Sequence, residues 1–577
     1  MYRKLTSPSL AIMLCLAITS ACSADSPIGT GTPVPSSAAA APKADPGDTA
    51  WMLISTGLVM LMVPGLALFY GGMVRKKNIL ATMMQSMVAL ALVGVYWIAV
   101  GYSLAFGPPV IGAANGGFLG WSNKLFFLQG VEPNELLPGG TIPIYVHAMF
   151  QGMFAIITPA LISGAIAERI RFGPYCLFLL LWVTFVYCPL AHWVWAMDWW
   201  NPLDPAKPGT QLVGWLGARK ALDFAGGTVV HIAAGFSGLA AILVLRKRLG
   251  YPEHPMQPSS MVLTLLGAGL LWFGWFGFNG GSAGASGSLA ASAFSATQAA
   301  AAAAGLSWMV AEWLHKGKPT ALGLASGIVA GLVAVTPASG FVYIWGGLII
   351  GVVAGVVCYL SVCLKPLWKY DDSLDAFGVH GVGGFLGALL TGVFCYVAVN
   401  ESGADGLLKT GTFTQLTTQL IAACASAAFA FVASLVLVKL VDATCGFVTD
   451  ADSEIKGLDQ TEHGEAGFHM GPEVETAPVL ATTEPRAASV PANGVQHFTV
   501  VVDGVANNEL TQTWSDLCQP GASDPDPLFK DVYPYMTTMQ GNRFRFRGGD
   551  AGKVKESLER LMRDRLRNAA LRVRVEA

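Results

Sequence analysis

The chain has 577 residues, of which 53% are hydrophobic and only 12% are charged. Soluble domains carry roughly 25% charged residues, so an ordinary soluble protein is excluded. The net charge of −2 offers no electrostatic footprint for nucleic acid. The ten cysteines are scattered without a CxxC pair, so neither a disulfide framework nor a metal site is expected.

At the N-terminus, Arg3 and Lys4 precede an apolar run from Leu10 to Ile18, then Ser20-Ala21-Cys22-Ser23-Ala24. That order of charge, short apolar stretch and small residues predicts a signal peptide over residues 1–24. Cys22 is a lipoprotein-type acceptor only if Thr19 is tolerated where a larger aliphatic residue is usual. Residues 25–48 are rich in Pro, Ala, Ser and Gly and read as a linker.

Eleven apolar stretches follow, each near the roughly 20 residues a helix needs to cross a bilayer. They cover 51–72, 79–106, 142–167, 175–197, 225–245, 261–281, 289–314, 322–336, 341–363, 376–398 and 413–441. Basic residues gather in alternate loops: Arg75, Lys76 and Lys77; Arg169 and Arg171; Arg246, Lys247 and Arg248; Lys316 and Lys318; Lys365 and Lys369. Positive charge marks the cytoplasmic side, so the mature N-terminus is expected outside and the C-terminus inside. The first five spans and the next five then run in opposite directions, as an inverted repeat requires.

An ionisable residue inside a span is costly and marks a functional site by default. His231 lies in the fifth span, after Asp223-Phe-Ala-Gly-Gly-Thr-Val-Val, and His380 in the tenth, after Asp375-Ala-Phe-Gly-Val. At about 1.5 Å per residue, they sit roughly 12 Å and 7 Å in from the two aspartates, on opposite faces. A neutral imidazole donates from one nitrogen and accepts at the other, so a facing pair can hold a small polar molecule and relay a proton. The alternative is that each ring bonds a neighbouring carbonyl. Asp223 and Asp375 both precede helical runs and read as N-caps, with an electrostatic effect on a nearby cation.

Aromatic residues cluster toward the outer ends of spans: Phe150 and Phe154, Trp195, and Trp275 with Phe278. Cations sit favourably over such rings, although an interfacial aromatic belt has the same composition. The Ser282 hydroxyl can accept from a cation or bond its own helix.

These motifs resemble the ammonium transporter family (Amt/Mep, with Rhesus proteins as distant relatives), over about residues 47–466. The resemblance rests on Gly47-Asp-Thr-Ala-Trp-Met-Leu, Pro64-Gly-Leu-Ala-Leu-Phe-Tyr-Gly-Gly, Phe150-Gln-Gly-Met-Phe, Ala167-Glu-Arg-Ile-Arg-Phe, Asp223-Phe-Ala-Gly-Gly-Thr-Val-Val-His, Gly274-Trp-Phe-Gly-Phe-Asn and Phe377-Gly-Val-His-Gly. It implies an all-α polytopic membrane protein, with eleven transmembrane helices in inverted five-helix repeats and one pore per subunit of a homotrimer. By resemblance, Phe154, Trp195 and Ser282 form the outer ammonium site, and Phe154 with Phe278 the gate. His231 and His380 are the pore histidines, and Asp223 lies below the outer site. Lys456-Gly-Leu-Asp and His463-Gly-Glu look like the family's cytoplasmic tail, at 443–470 behind a membrane domain at 49–442.

The sequence departs from the family in two places. Ala293-Phe-Ser-Ala-Thr-Gln is unusual in its segment. Beyond the tail, 471–495 reads as a linker and 496–577 as a small cytoplasmic α+β domain, with strands from His497, at 542–547 and at 571–575, and helices at 509–517 and 553–570.

The function expected is bacterial inner-membrane ammonium transport, with the bilayer and ammonium as partners and a P-II type signal protein on the cytoplasmic face. No cofactor, metal or nucleic acid is expected, and the chain is not read as an enzyme. A sensor in which the extra domain signals is the alternative; a Rhesus-type gas channel fits less well, because Trp195 and Ser282 form a cation-recruiting set.

Overall fold

The computed structural model describes residues 43–253, 256–468, 497–517, 532, 535–540, 542–547, 550–566 and 571–576. The predicted signal peptide, Cys22, the linker at 471–495 and most of the linker at 25–48 lie outside the described residues. The chain divides into two compact units, within residues 1–473 and 474–577.

In the first unit, ten helices among the described residues are long and apolar enough to cross a membrane. They are α1 (Pro46–Met73), α2 (Lys76–Phe106), α3 (Ile144–Ile166), α4 (Phe172–Trp195), α5 (Gly227–Val244), α6 (Met261–Gly281), α7 (Ser288–Lys316), α9 (Ile344–Trp368), α10 (Phe377–Phe394) and α11 (Thr414–Cys445). The eighth span, α8 (Ala321–Val335), is shorter. Buried Thr336, Ala338 and Val342 carry the chain on from it toward α9. The chain is thus a multi-pass α-helical membrane protein. α1 begins earlier than the expected span, because the Asp45 side chain accepts from Asp48 N and Pro46 fills the first helical position.

The two halves meet through equivalent helices. α1 packs antiparallel along α6: a Cβ on Gly72 would strike Ser260 and Thr264, and one on Gly277 would strike Leu58 and Ser55. α5 and α10 cross just as closely. A Cβ on Gly235 would come within 2.2 Å of Gly381 N, and one on Gly384 would meet His231 and Gly227. Side chains at Gly235 and Gly384 would force apart the two helices that carry the histidines.

Both histidines sit in a widened, π-helical turn opening their helix, Gly227–Ile232 in α5 and Phe377–Gly381 in α10. Such turns shift side chains relative to a regular helix and concentrate at functional sites.

On the face carrying the basic loops, a buried ion network ties the halves together. Arg248 pairs with Glu168 at 2.8 Å and Asp371 at 2.7 Å, and Arg169 pairs with Asp371 at 2.6 Å. Burial alone would push the Glu168 carboxyl up, but Arg248 and Arg75 outweigh it and hold it below the usual carboxylate range. The same balance, struck by Arg248 and Arg169, lowers Asp371. The tail beyond α11 folds onto this network through α12 (Ala451–Lys456). Glu454 accepts from Arg246 Nη1 at 2.6 Å and Leu249 N at 2.7 Å, Leu458 N donates to Asn78 Oδ1 at 2.8 Å, and Asp459 Oδ1 accepts from Ala81 N at 2.8 Å.

The second unit is a βαββαβ fold, matching the expected α+β class. Strands β1 (His497–Asp503), β2 (Met536–Gln540), β3 (Arg543–Arg547) and β4 (Arg572–Glu576) form one antiparallel sheet in the order β2-β3-β1-β4. This is the split βαβ arrangement. Helices α13 (Asn507–Leu517) and α14 (Ala551–Leu566) place Leu510, Trp514, Val554, Leu558 and Leu561 in one core with Phe498, Val500, Phe544, Phe546 and Val573 of the sheet. Strand β2 was not expected from sequence; its polar Met-Thr-Thr-Met-Gln has little apolar alternation to read.

Candidate functional site: an aromatic and imidazole file

Five rings form a continuous file into the membrane unit. The file starts at Trp195, at the end of α4, whose ring meets Phe154 of α3 edge-on, with centroids 6.0 Å apart at 88°. Phe154 in turn stacks on Phe278 of α6 at 4.1 Å and 23°. Phe278 lies 6.2 Å from His231, and His231 stacks on His380 at 5.3 Å and 19°. Trp195 is half-buried, while Phe154 and Phe278 are each 1% exposed, so the file runs from a partly accessible ring to a buried stacked pair.

Ser282 caps α6 one turn beyond Phe278 and donates its hydroxyl to Phe278 O at 2.8 Å. The donor is committed to the helix, and the oxygen keeps a lone pair with which to accept.

The two imidazoles face each other Nδ1 to Nδ1 at 3.3 Å. One must donate and the other accept. His231 Nε2 is buried and has no hydrogen-bond partner among the described residues. It opens on a narrow cavity flanked by Ile157, Val230, Leu271, Trp275 and Val329, almost entirely apolar. Beyond His380 a second small cavity, lined by Tyr70, Ser326 and Asp375, leads toward the basic-loop face.

Trp275 corrects an expectation. It is not an outer aromatic: it is 2% exposed and stacks on His231 at 5.4 Å and 18°. Its indole nitrogen donates to Thr336 Oγ1 at 2.9 Å, so the ring forms a fixed wall of the histidine cavity.

Asp223 holds the arrangement together from beneath. Oδ1 accepts from Gly226 N and Gly227 N at 2.7 and 2.6 Å, and Oδ2 accepts from Thr228 N and Val229 N at 2.8 and 3.2 Å, as well as from the Thr228 hydroxyl. One carboxylate thus satisfies the free N–H groups of the turn that carries His231. Gly226, at φ +113°, makes the reversal that brings them together. The carbonyl of Asp223 accepts from the Trp195 indole at 2.8 Å, so one residue positions both the outer ring and the inner histidine turn.

In the second half the capping residue is Asp372, not Asp375. Asp372 accepts from Ala376 N at 3.1 Å and Phe377 N at 2.8 Å. Asp375 has left-handed backbone (φ +59°), and its carboxylate pairs with Lys365 beside the inner cavity. The signal was present in the spacing: Asp372 stands as far before His380 as Asp223 stands before His231.

Fold and site define a multi-pass helical membrane protein of inverted repeats with two small, mostly apolar cavities flanking a pair of touching histidines. The profile of the Ammonium Transporter Family matches residues 50–468. The ammonium transporter of Mycobacterium tuberculosis (strain ATCC 25618 / H37Rv) is 46% identical over 441 residues, covering 74% of this chain and 90% of that protein. The crystal structure of Saccharomyces cerevisiae Mep2 superposes with a TM-score of 0.62 at 37% identity, over 71% of this chain and 89% of that one. A structure titled "Sensor Amt Protein" aligns at 27% identity with a TM-score of 0.63, over 72% of this chain and 98% of its own. The chain belongs to the ammonium transporter family.

Proposed function

We propose that the protein collects ammonium at Trp195, Phe154 and Ser282, strips a proton from it at the Phe154–Phe278 closure, and conducts ammonia past His231 and His380. The observation that carries this reading is the unbroken ring file ending in two imidazoles in Nδ1–Nδ1 contact. A charged side chain at the bilayer centre costs about 2.5–3.5 kcal/mol even on lenient insertion scales. A neutral amine costs far less, so an apolar passage selects the deprotonated species. The imidazoles then supply the hydrogen bonds that ammonia loses on leaving water, with His231 Nε2 as the uncommitted one.

We assign the mature N-terminus to the outside of an inner membrane and the tail to the inside, a reading that the basic residues in alternate loops support. We assign the assembly as a homotrimer with one passage per subunit. The basic-loop face, with its docked tail, is the surface on which a P-II type signal protein would act. The test is uptake of an ammonium analogue into proteoliposomes, with and without residues beyond Met470. No uptake in either form overturns the transport reading and leaves the sensor reading, which the extra unit and the sensor-titled neighbour favour.

A further inference from the structure

The sheet of the second unit has two unlike faces. One carries Phe498, Val500, Phe544, Phe546 and Val573, covered by α13 and α14. The register places the alternate residues on the other face. Arg545 pairs with Thr499, Arg543 with Val501, Val501 with Arg574, and Asp503 with Arg572, while Arg547 lies opposite His497. Arg543, Arg545, Arg547, Arg572 and Arg574 are all exposed. Among the described residues, the carboxylates placed on this face are Asp503 and Glu576: Arg574 contacts Asp503 at 2.9 Å, and Glu576 lies between Arg543 and Arg574 at 3.0 and 3.1 Å. Leaving aside Arg545, which has an interaction of its own, four guanidiniums against two carboxylates among the described residues leave a positive surplus on this face, in a chain whose net charge is −2.

From this we infer that the arginine face of the second unit is a docking surface for the anionic headgroups of the membrane in which the first unit sits. Charge complementarity selects an anionic partner, and a guanidinium matches a phosphate oxygen pair with two parallel N–H donors. Single-stranded nucleic acid is the weaker fit, because sheet platforms that bind it stack bases on outward aromatic rings. Here Phe498, Phe544 and Phe546 all point into the core. A second copy of the same face would be repelled by its own sign.

The covalent path favours the bilayer. Residues 469–496 separate the two described parts, so the unit cannot move more than about 100 Å from the tail at full extension. Tethering of this kind raises the effective concentration of the nearby surface without any new contact. Basic clusters close to an anionic leaflet are drawn to it by its negative surface potential.

The test uses the full chain in nanodiscs of phosphatidylcholine alone, or with a third of the lipid as phosphatidylglycerol. Phenylglyoxal modification of each arginine is followed by mass spectrometry, with Arg560 on α14 as an internal control, since its side chain is 67% exposed. Modification of the five sheet arginines is expected to slow at least about threefold in the anionic discs, with Arg560 unchanged and the protection lost at high salt. The same rates in both discs overturn the inference. So does protection in phosphatidylcholine discs by added single-stranded RNA or inorganic phosphate without protection by the anionic lipid. The Arg545→Glu/Arg547→Glu variant should lose protection at Arg543, Arg572 and Arg574. Arg545→Gln/Arg547→Gln should do so more weakly, which covers the case in which charge reversal unfolds the unit. Protection retained in a folded variant also overturns the inference. None of these readouts involves transport, so their failure leaves the proposed function untouched.

Discussion

His231 and His380 share a single proton on the edge where their Nδ1 atoms lie 3.3 Å apart. Removing either ring leaves the other buried with an unpartnered nitrogen, which costs about 1–3 kcal/mol, and it breaks the hydrogen-bonded path. His231→Ala and His380→Ala should therefore each cut or qualitatively change ammonium transport, by about tenfold or more in rate, in protein that still inserts. Currents on solid-supported membranes measure this. Wild-type currents with wild-type ion selectivity in both variants would remove the pair from the mechanism.

At the outer end, a cation over an aromatic ring gains about 0.5–2 kcal/mol, equivalent to about twofold to thirtyfold in affinity. Trp195→Leu combined with Ser282→Ala should raise the half-saturating ammonium concentration within that range. Both residues are half-buried, so packing should survive. The concentration dependence of transport decides the matter, and an unmoved curve places recruitment elsewhere.

Asp223 is the cap whose loss should spread furthest. Its carboxylate serves four backbone N–H groups and the Thr228 hydroxyl, and its carbonyl holds Trp195. Asp223→Ala should cost about 2–4 kcal/mol, more than an ordinary helix cap, because several buried donors are orphaned at once. A thermal melt in detergent should show the drop in Tm, with transport impaired in parallel. A melt within a degree of wild type would mean that water or lipid satisfies those donors.

Much of this site was legible because the sequence writes it twice. Two aspartate–histidine frames in the fifth and tenth apolar spans, with basic residues in alternate loops, gave the topology and pointed to a pair of facing histidines. What the spacing hid was the π-helical turn at each site, since apolar periodicity looks the same with one residue of slip. Asp375 was mistaken for the second cap because it stands nearer to its histidine; the equal spacing identifies Asp372. The position of Trp275 was hidden for another reason: a tryptophan in an apolar run reads equally as belt or wall until its partner, Thr336, is known.

The ion network on the basic-loop face predicts a pH response. Glu168 and Asp371 have folded-state pKa values below their ordinary ones. Their contribution to stability is therefore full above the ordinary carboxylate range of about 4 and is lost as pH falls through the folded values. Asp372 works the other way: burial, then the neighbouring Asp375, raises it, so its contribution fades as pH rises through about 6. The wild-type Tm should fall steeply below about pH 4. Glu168→Gln should lower the Tm at neutral pH by the equivalent of about 3–5 kcal/mol, because it breaks a buried pair, and should flatten the acid limb. A wild-type Tm that does not change between neutral pH and about pH 3 would show that the network contributes nothing by charge.

The tail makes the last prediction, because its contacts with the membrane unit are specific. Glu454 bonds Arg246 and Leu249, Leu458 bonds Asn78, Asp459 bonds Ala81, and Glu462 Oε2 accepts from Phe172 N at 2.9 Å. These contacts reach the starts of α2 and α4 and the loop that joins α5 to the second half. Deleting everything after Thr449 keeps α11 intact and removes all of them. It should impair transport severely and lower the Tm, because Arg246 loses the Glu454 carboxylate and Asn78 Oδ1 loses the Leu458 N–H beside a buried ion network. Deletion after Met470 keeps every one of these contacts and removes only the second unit, whose core is self-contained. Basal transport should then stay within about a factor of two, since a docking domain acts through a tether and not through the passage. Uptake by both truncations at equal membrane abundance makes the comparison. If the Met470 truncation alone abolished basal transport, the second unit would be part of the transport cycle itself, and its reading as a membrane-docking accessory would fall with it.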